Sequence, residues 1–415
     1  MANKPIDSAQ PQPTENTLSL SNPAATLPRP GGLRRVPGGE GARVAFVELF
    51  FDLVYVFAVT QLSHHLLAEP TWDGALQTLI LLGPVWLGWA NTMWITNYLD
   101  PERLPVRMLL MGLMLGGLIM SAGLPQAFGR AALVVAGAYA AMQVGRSVFA
   151  IAALRGDALQ STFQRFLAWA TVTAVLWIAG ALLPGRGREA VWVAAIAVEL
   201  LGSSVGFYTP GLGRSATTDW TVAGGHLAER CQAFILIALG ESVVVIGAAV
   251  AGVSKLTAGI VVAFVAAFLG SVGLWWIYFD RSAEAGARRI AASADPGRLG
   301  RSAYHTIHPV MVAGIIVVAA GDQEVLAHPS AVGDPATTWM VLGGTALFVA
   351  GHALFKRAVW GVISGQRVAA LVALTALLAF SGRLPALLLG GLTLVVIVGV
   401  IVADRLRPGA EPSAL

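Results

Sequence analysis

The sequence predicts an all-α, polytopic integral membrane protein of about twelve transmembrane helices, arranged as two parallel six-helix repeats. Three observations point there. Of 415 residues, 56% are hydrophobic and only 12% are charged, about half the roughly 25% typical of soluble domains. The apolar residues form runs that reach the roughly 20 residues a spanning helix needs. Barrel strands, in contrast, alternate polar and apolar over about 10 residues. Finally, Glu48, Asp100, Gln164-Arg165 and Gly180 recur in the second half as Glu229, Asp280, Gln366-Arg367 and Gly382.

Along the chain, residues 1–42 are polar and Pro-rich and carry no apolar segment followed by a cleavage site. They read as a disordered cytoplasmic tail rather than a signal peptide. Spans of the first repeat, 43–208, fall near 44–67, 75–98, 106–123, 131–154, 163–183 and 189–208. Gly112, Gly116 and Gly117 in the third span are small enough to let a neighbouring helix approach closely. A cytoplasmic linker follows at 209–225. The second repeat, 226–404, has spans near 226–250, 256–279, 304–321, 337–355, 366–381 and 384–403, and a tail at 405–415 closes the chain. Segment 281–303 reads as a loop longer than its counterpart 99–105.

Charge placement sets the expected orientation. With the N-terminus inside, 20 of the 27 Lys and Arg fall on the cytoplasmic side, five on the other, and Arg146 and Arg230 within spans. This bias places both termini in the cytoplasm. It also accounts for the net charge of +4 as membrane topology, with no nucleic-acid partner. The single cysteine, Cys231, leaves no internal disulfide and no thiolate cluster. No phosphate loop, serine elbow or His-Glu-x-x-His motif is present, so neither a metal nor a cofactor is expected.

The halves align best at their polar positions. Gln164-Arg165 with Thr173 and Leu176 match Gln366-Arg367 with Thr375 and Leu378, and Tyr98-Leu99-Asp100 matches Tyr278-Phe279-Asp280. Gly145-Arg146 matches Gly351-His352. Six spans per copy is an even number, so both copies enter the membrane in the same direction, about an axis along its normal. Equivalent helices, the first and seventh above all, then line any path between the halves.

Ionisable groups cost about 2.5–3.5 kcal/mol each at the centre of a span, which makes them the first place to look for function. The first helix carries Glu48 and Asp52 on one face; the seventh carries His226, Glu229 and Arg230, then Glu241-Ser242 beyond. The five cytoplasmic-side groups fit either a gate or relay, or Arg–carboxylate bridges that fasten the repeats. Glu241 is expected to face the bundle interior, beside a polar cavity or a partner such as Asn91, Gln143 or Arg146. His352 joins these as a secondary candidate, being the counterpart of Arg146. His305 and His308 read as a solvated interfacial pair, and Asp100 and Asp280 as helix-end groups paired with nearby arginines.

Two stretches carry a family resemblance. Arg43-Val-Ala-Phe-Val-Glu48-Leu-Phe-Phe-Asp52 resembles the opening helix of the bacterial low temperature requirement A (LtrA) family. His226-Leu-Ala-Glu229-Arg230, leading to Leu239-Gly240-Glu241-Ser242, is similar to its second signature, and Trp275-Trp276-x-Tyr278-Phe279-Asp280 also fits. The resemblance implies a bacterial multi-pass inner-membrane protein linked to growth in the cold. It marks Glu48, Asp52, His226, Glu229, Arg230, Glu241 and Ser242 without assigning them a reaction.

The expected function is a transporter or channel for a small solute or ion using intramembrane carboxylates, with the lipid bilayer as its surroundings. Two alternatives stay open: an intramembrane enzyme acting on a lipid or isoprenoid, and a non-transporting stress-adaptation protein.

Overall fold

In the computed structural model of the protein, the structure describes residues 32–35, 44–217 and 222–406. The disordered tail expected at 1–42 lies outside them apart from 32–35, as does 407–415 of the C-terminal tail.

Each predicted span has its helix. The first half contains α1 (Phe46–Ala68), α2 (Trp72–Tyr98), α3 (Leu104–Gly123), α4 (Ala132–Ala153), α5 (Gln160–Leu182) and α6 (Gly185–Ser204). The second begins with α7 (Gly224–Ala251) and α8 (Ala258–Phe279), continues through α9 (Ser282–Ala291) and α10 (Pro296–Gly300), and resumes with α11 (His308–Ala327), α12 (Pro335–Trp360), α13 (Gly365–Leu378) and α14 (Ala386–Leu406). Ten helical stretches among the described residues are long and apolar enough to cross a membrane. Of the remaining two spans, α6 carries Arg186, Arg188, Glu189 and Glu199, and α13 has 14 residues. The protein is an all-α, multi-pass membrane protein.

The expected loop 281–303 is instead largely helical. α9 buries Ser282, Ala283, Gly286 and Ile290, a stripe at helical spacing, and an exposed Glu284–Arg288 pair at 2.6 Å spans one turn. α10 starts at Pro296, where the Asp295 side chain accepts the Arg298 amide. A π-helical turn, Arg301–Ile307, then feeds α11. Short polar residues at caps mask such helices from a reading based on apolar runs.

The bundle keeps an apolar core but also covers its outside with apolar side chains. Phe46, Leu53, Val172, Val244 and Val395 point outward, as lipid-facing positions should, while charged groups lie inside. On α1 the buried stripe runs through Glu48, Asp52, Tyr55, Val59 and Leu62, one face of a helix. α11 and α12 approach through glycine: a Cβ on Gly314 would stand 2.5 Å from the Phe348 amide nitrogen, and one on Gly344 2.7 Å from that of Val318. In the third span, Gly116 and Gly117 lie against Met142 and Tyr55 as small-residue contacts, whereas Gly112 faces open space.

Packing partners recur between the halves. α1 lies against α2 and α3, followed by α3–α4, α4–α5, α5–α6 and α2–α6 contacts. In the same order α7 lies against α8 and α11, followed by α11–α12, α12–α13, α13–α14 and α8–α14. α1 and α7 also pack on each other. Their bonded pairs, Glu48 with His226 and Asp52 with Arg230, are both 178 residues apart. A constant offset means the two helices run in the same direction, side by side.

Candidate functional site

The α1–α7 seam holds a buried ionic cluster. Arg230 and both its acids are fully buried. Its Nε donates to Asp52 Oδ2 at 3.1 Å and its Nη2 to Asp52 Oδ1 at 2.6 Å, the side-on bidentate geometry that suits guanidinium to carboxylate. Its Nη1 donates to Glu48 Oε1 at 2.7 Å and to Thr96 Oγ1 at 3.3 Å. The rings of Trp89 and Phe51 flank the guanidinium at 5.8 and 5.9 Å.

The remaining acceptor sites are filled too. Trp89 Nε1 donates to Asp52 Oδ1 at 2.7 Å. Glu48 Oε2 accepts the Ala45 amide at 3.0 Å, capping the start of α1, and Arg35 Nη2 at 3.4 Å. Arg35 also donates to the Thr96 carbonyl. His226 Nε2 lies 2.9 Å from Glu48 Oε1, and its Nδ1 lies 3.2 Å from Asn97 Nδ2. Since the Asn97 oxygen accepts the Ala223 amide, its Nδ2 is the donor. The imidazole is thereby assigned as the neutral tautomer, donating from Nε2 to Glu48.

Of the residues marked in the sequence, Glu48, Asp52, His226 and Arg230 converge. Glu229 does not: it is exposed. The expected equivalence of Glu48 with Glu229 rests on an offset of 181, but the facing residues are 178 apart. Glu229 precedes Arg230 by one residue, about 100° of helical rotation, which turns it off the face that meets α1. Arg35 and Thr96 are members that the sequence reading missed, since Arg35 precedes any span and threonine carries no charge.

Glu241 is 4% exposed, and its Oε1 has no hydrogen-bond partner among the described residues. It faces α1 near Thr60 and His64. Asn91, Gln143 and Arg146, expected as its partners, belong to a separate group. Ser242 only donates to the Ala238 carbonyl of its own helix.

That separate group lies among α2, α4, α5 and α6, around a cavity of about 90 Å³ lined by Asn91, Gln143, Arg146 and Glu199 together with aromatic rings. Tyr139 Oη donates to Glu199 Oε2 at 2.6 Å, and Gln143 Nε2 reaches the same oxygen at 3.3 Å. Trp177 Nε1 donates to Oε1 at 3.4 Å. Asn91 Nδ2 donates to Gln143 Oε1 at 3.4 Å. Glu199 and Tyr139 escaped the sequence reading. Glu199 meets the same test as Glu241, an ionisable group within a span, but sits outside the family signatures.

In the second half, fully buried His352 accepts from Arg367 Nε at 3.3 Å, and Arg367 pairs with Asp404. His305 and His308 are buried rather than solvated: His308 bonds the Tyr278 hydroxyl at 2.8 Å and the Ala303 carbonyl at 2.9 Å. The π-helical turn draws them inward. Asp100 and Asp280 do pair with Arg103 and with Arg281 and Arg405. Among the described residues, no three His, Cys, Asp or Glu side chains converge as a metal site.

Comparison with known proteins places the chain. Residues 43–402 match the family described as bacterial low temperature requirement A protein (LtrA). Uncharacterized protein RA0937 of Rhizobium meliloti (strain 1021) is 37% identical over 339 residues, covering 81% of this chain and 83% of that protein. No solved structure matches. The two signatures that carry the resemblance are the strands of one knot, the acids of α1 and the His–Arg pair of α7. The chain belongs to the bacterial low temperature requirement A family.

Proposed function

We propose that this protein is a transporter or channel for a small solute or ion, with Glu241 as its intramembrane carboxylate. The observation that carries this reading is the buried, unpartnered oxygen of Glu241 at the seam between α1 and α7. A carboxylate kept in the bundle with one oxygen unpaired is costly, and such groups mark ion or proton pathways in membrane proteins. The recurring packing partners of the halves support an internal duplication with parallel repeats, about an axis near this seam. The excess of Lys and Arg in alternate loops supports a plasma-membrane orientation with both termini in the cytoplasm.

The test is flux of ions and small solutes into proteoliposomes containing the purified protein, beside Glu241→Gln. The variant keeps shape and hydrogen bonding but cannot ionise. Normal insertion with loss of flux, or of its pH dependence, supports the reading; unchanged flux overturns the role of Glu241.

A second reading, a non-transporting membrane protein, is favoured by a different observation. The Glu48–Asp52–Arg230 cluster is saturated with protein partners, as a fastening between α1, α2 and α7 requires. Absence of any flux from the wild-type protein would select it.

A further inference from the structure

We propose that the cavity among α2, α4, α5 and α6 is a binding site for a small organic acid, held by its carboxylate on Arg146. Glu241 does not line this cavity, so the site stands apart from the seam and is tested without any flux.

The case begins with a contrast between two buried arginines. Arg230 spends the edge formed by Nε and Nη2 on Asp52. Arg146 is 4% exposed, yet both of its hydrogen bonds leave from Nη1, to the Gly88 carbonyl at 3.2 Å and Thr92 Oγ1 at 3.1 Å. Among the described residues, its Nε and Nη2 edge donates to nothing and pairs with no carboxylate within 4 Å. A guanidinium in an apolar interior with only neutral partners lacks most of the compensation that burial demands. The vacant edge is the one that recognises a carboxylate with two parallel bonds.

The cavity wall carries further polar side chains. His305, 6% exposed, lines it, and its Nδ1 is buried without a partner. Asn91 and Arg301 also line it. Glu199 is the one acid on the wall, and its two oxygens are committed to Tyr139, Gln143 and Trp177. An anion therefore meets the unsatisfied edge of Arg146, while the carboxylate on the wall is already engaged.

The rest of the lining fixes the kind of anion. Trp94, Tyr98, Phe163, Phe166, Trp169 and Phe207 supply apolar walls. Phe207 is held at φ 52°, a conformation that bulky residues adopt only when their surroundings impose it, often beside ligand sites. A dry cavity of about 150 Å³ takes benzene, so about 90 Å³ holds a ligand of about four heavy atoms. Acetate has that size; the cavity is not fully closed, so the added methylene of propionate extends among the rings. Burying one methylene tightens binding about three- to fourfold.

The experiment is thermal unfolding of the full-length protein in detergent micelles, titrated with sodium propionate, acetate or chloride at matched ionic strength. A ligand that binds only the folded state raises Tm with concentration. Propionate should raise Tm at several-fold lower concentration than acetate, and chloride should not reproduce the effect. Arg146→Gln should abolish the response. Ala170→Leu, which fills the cavity from α5 and removes no charge, should abolish it as well and carries the test alone if Arg146→Gln does not fold. Propionate acting no better than chloride, or a response that survives Ala170→Leu, overturns the proposal.

Discussion

Arg230 and Asp52, 178 residues apart, are joined by two parallel hydrogen bonds of 2.6 and 3.1 Å in a fully buried setting. Residues far apart in sequence thus form the tightest polar contact between the first and seventh helices. Because Glu48 shares the same guanidinium, the loss of one partner leaves the others charged and unsatisfied.

Removing Arg230 should therefore destabilise the protein sharply. Breaking a buried pair from one side costs about 3–5 kcal/mol, so Arg230→Ala should lower membrane abundance and Tm strongly. Asp52→Asn with Arg230→Gln, which removes both charges, should recover part of the loss. Thermal unfolding of the single and double variants checks this, and a double variant as unstable as Arg230→Ala contradicts the pairing.

Glu241 should respond with the opposite sign. Its Oε1 is buried without a hydrogen-bond partner, so the cost of burying the carboxyl is only partly offset. Glu241→Leu should match or exceed the wild-type Tm while losing whatever flux the protein supports. A large fall in Tm would show that the carboxylate is structural.

Orientation can be read with one impermeant thiol reagent. Cys231 is wholly buried, so the wild-type protein serves as the unlabelled control. Ser254→Cys, between α7 and α8, should label from outside intact cells. Ala158→Cys, between α4 and α5, should label only after lysis. The reverse pattern would invert the proposed topology.

A pH dependence follows from the cap of α12. Asp334 accepts the Thr337 amide at 2.7 Å and its hydroxyl at 2.6 Å, and these bonds hold its carboxyl below the ordinary aspartate range. A lowered value in the folded state contributes stability that is present above the unfolded pKa and lost as pH falls through the folded one. Asp334→Ala should lower Tm at neutral pH, and the gap from wild type should shrink below about pH 3.9. A gap that stays constant down to pH 2.5 would argue against the charge-assisted cap.

The sequence by itself determined the membrane class and the helix positions, because a spanning helix must satisfy its own backbone and be apolar over a bilayer's thickness. It also singled out Glu48, Asp52, His226, Arg230 and Glu241, since ionisable groups within spans are costly enough to stand out. It left the helical character of much of 282–303 hidden, because α9 is a polar amphipathic helix and not an apolar run. Only the tertiary structure decided which of the marked groups meet. Glu229 and Arg230 are adjacent in sequence, yet about 100° of helical rotation between neighbours leaves one exposed and the other buried against α1. Glu199 of α6 comes together with Tyr139 of α4, on the helix that carries the open edge of Arg146, and no spacing along the chain encodes that approach of the two helices.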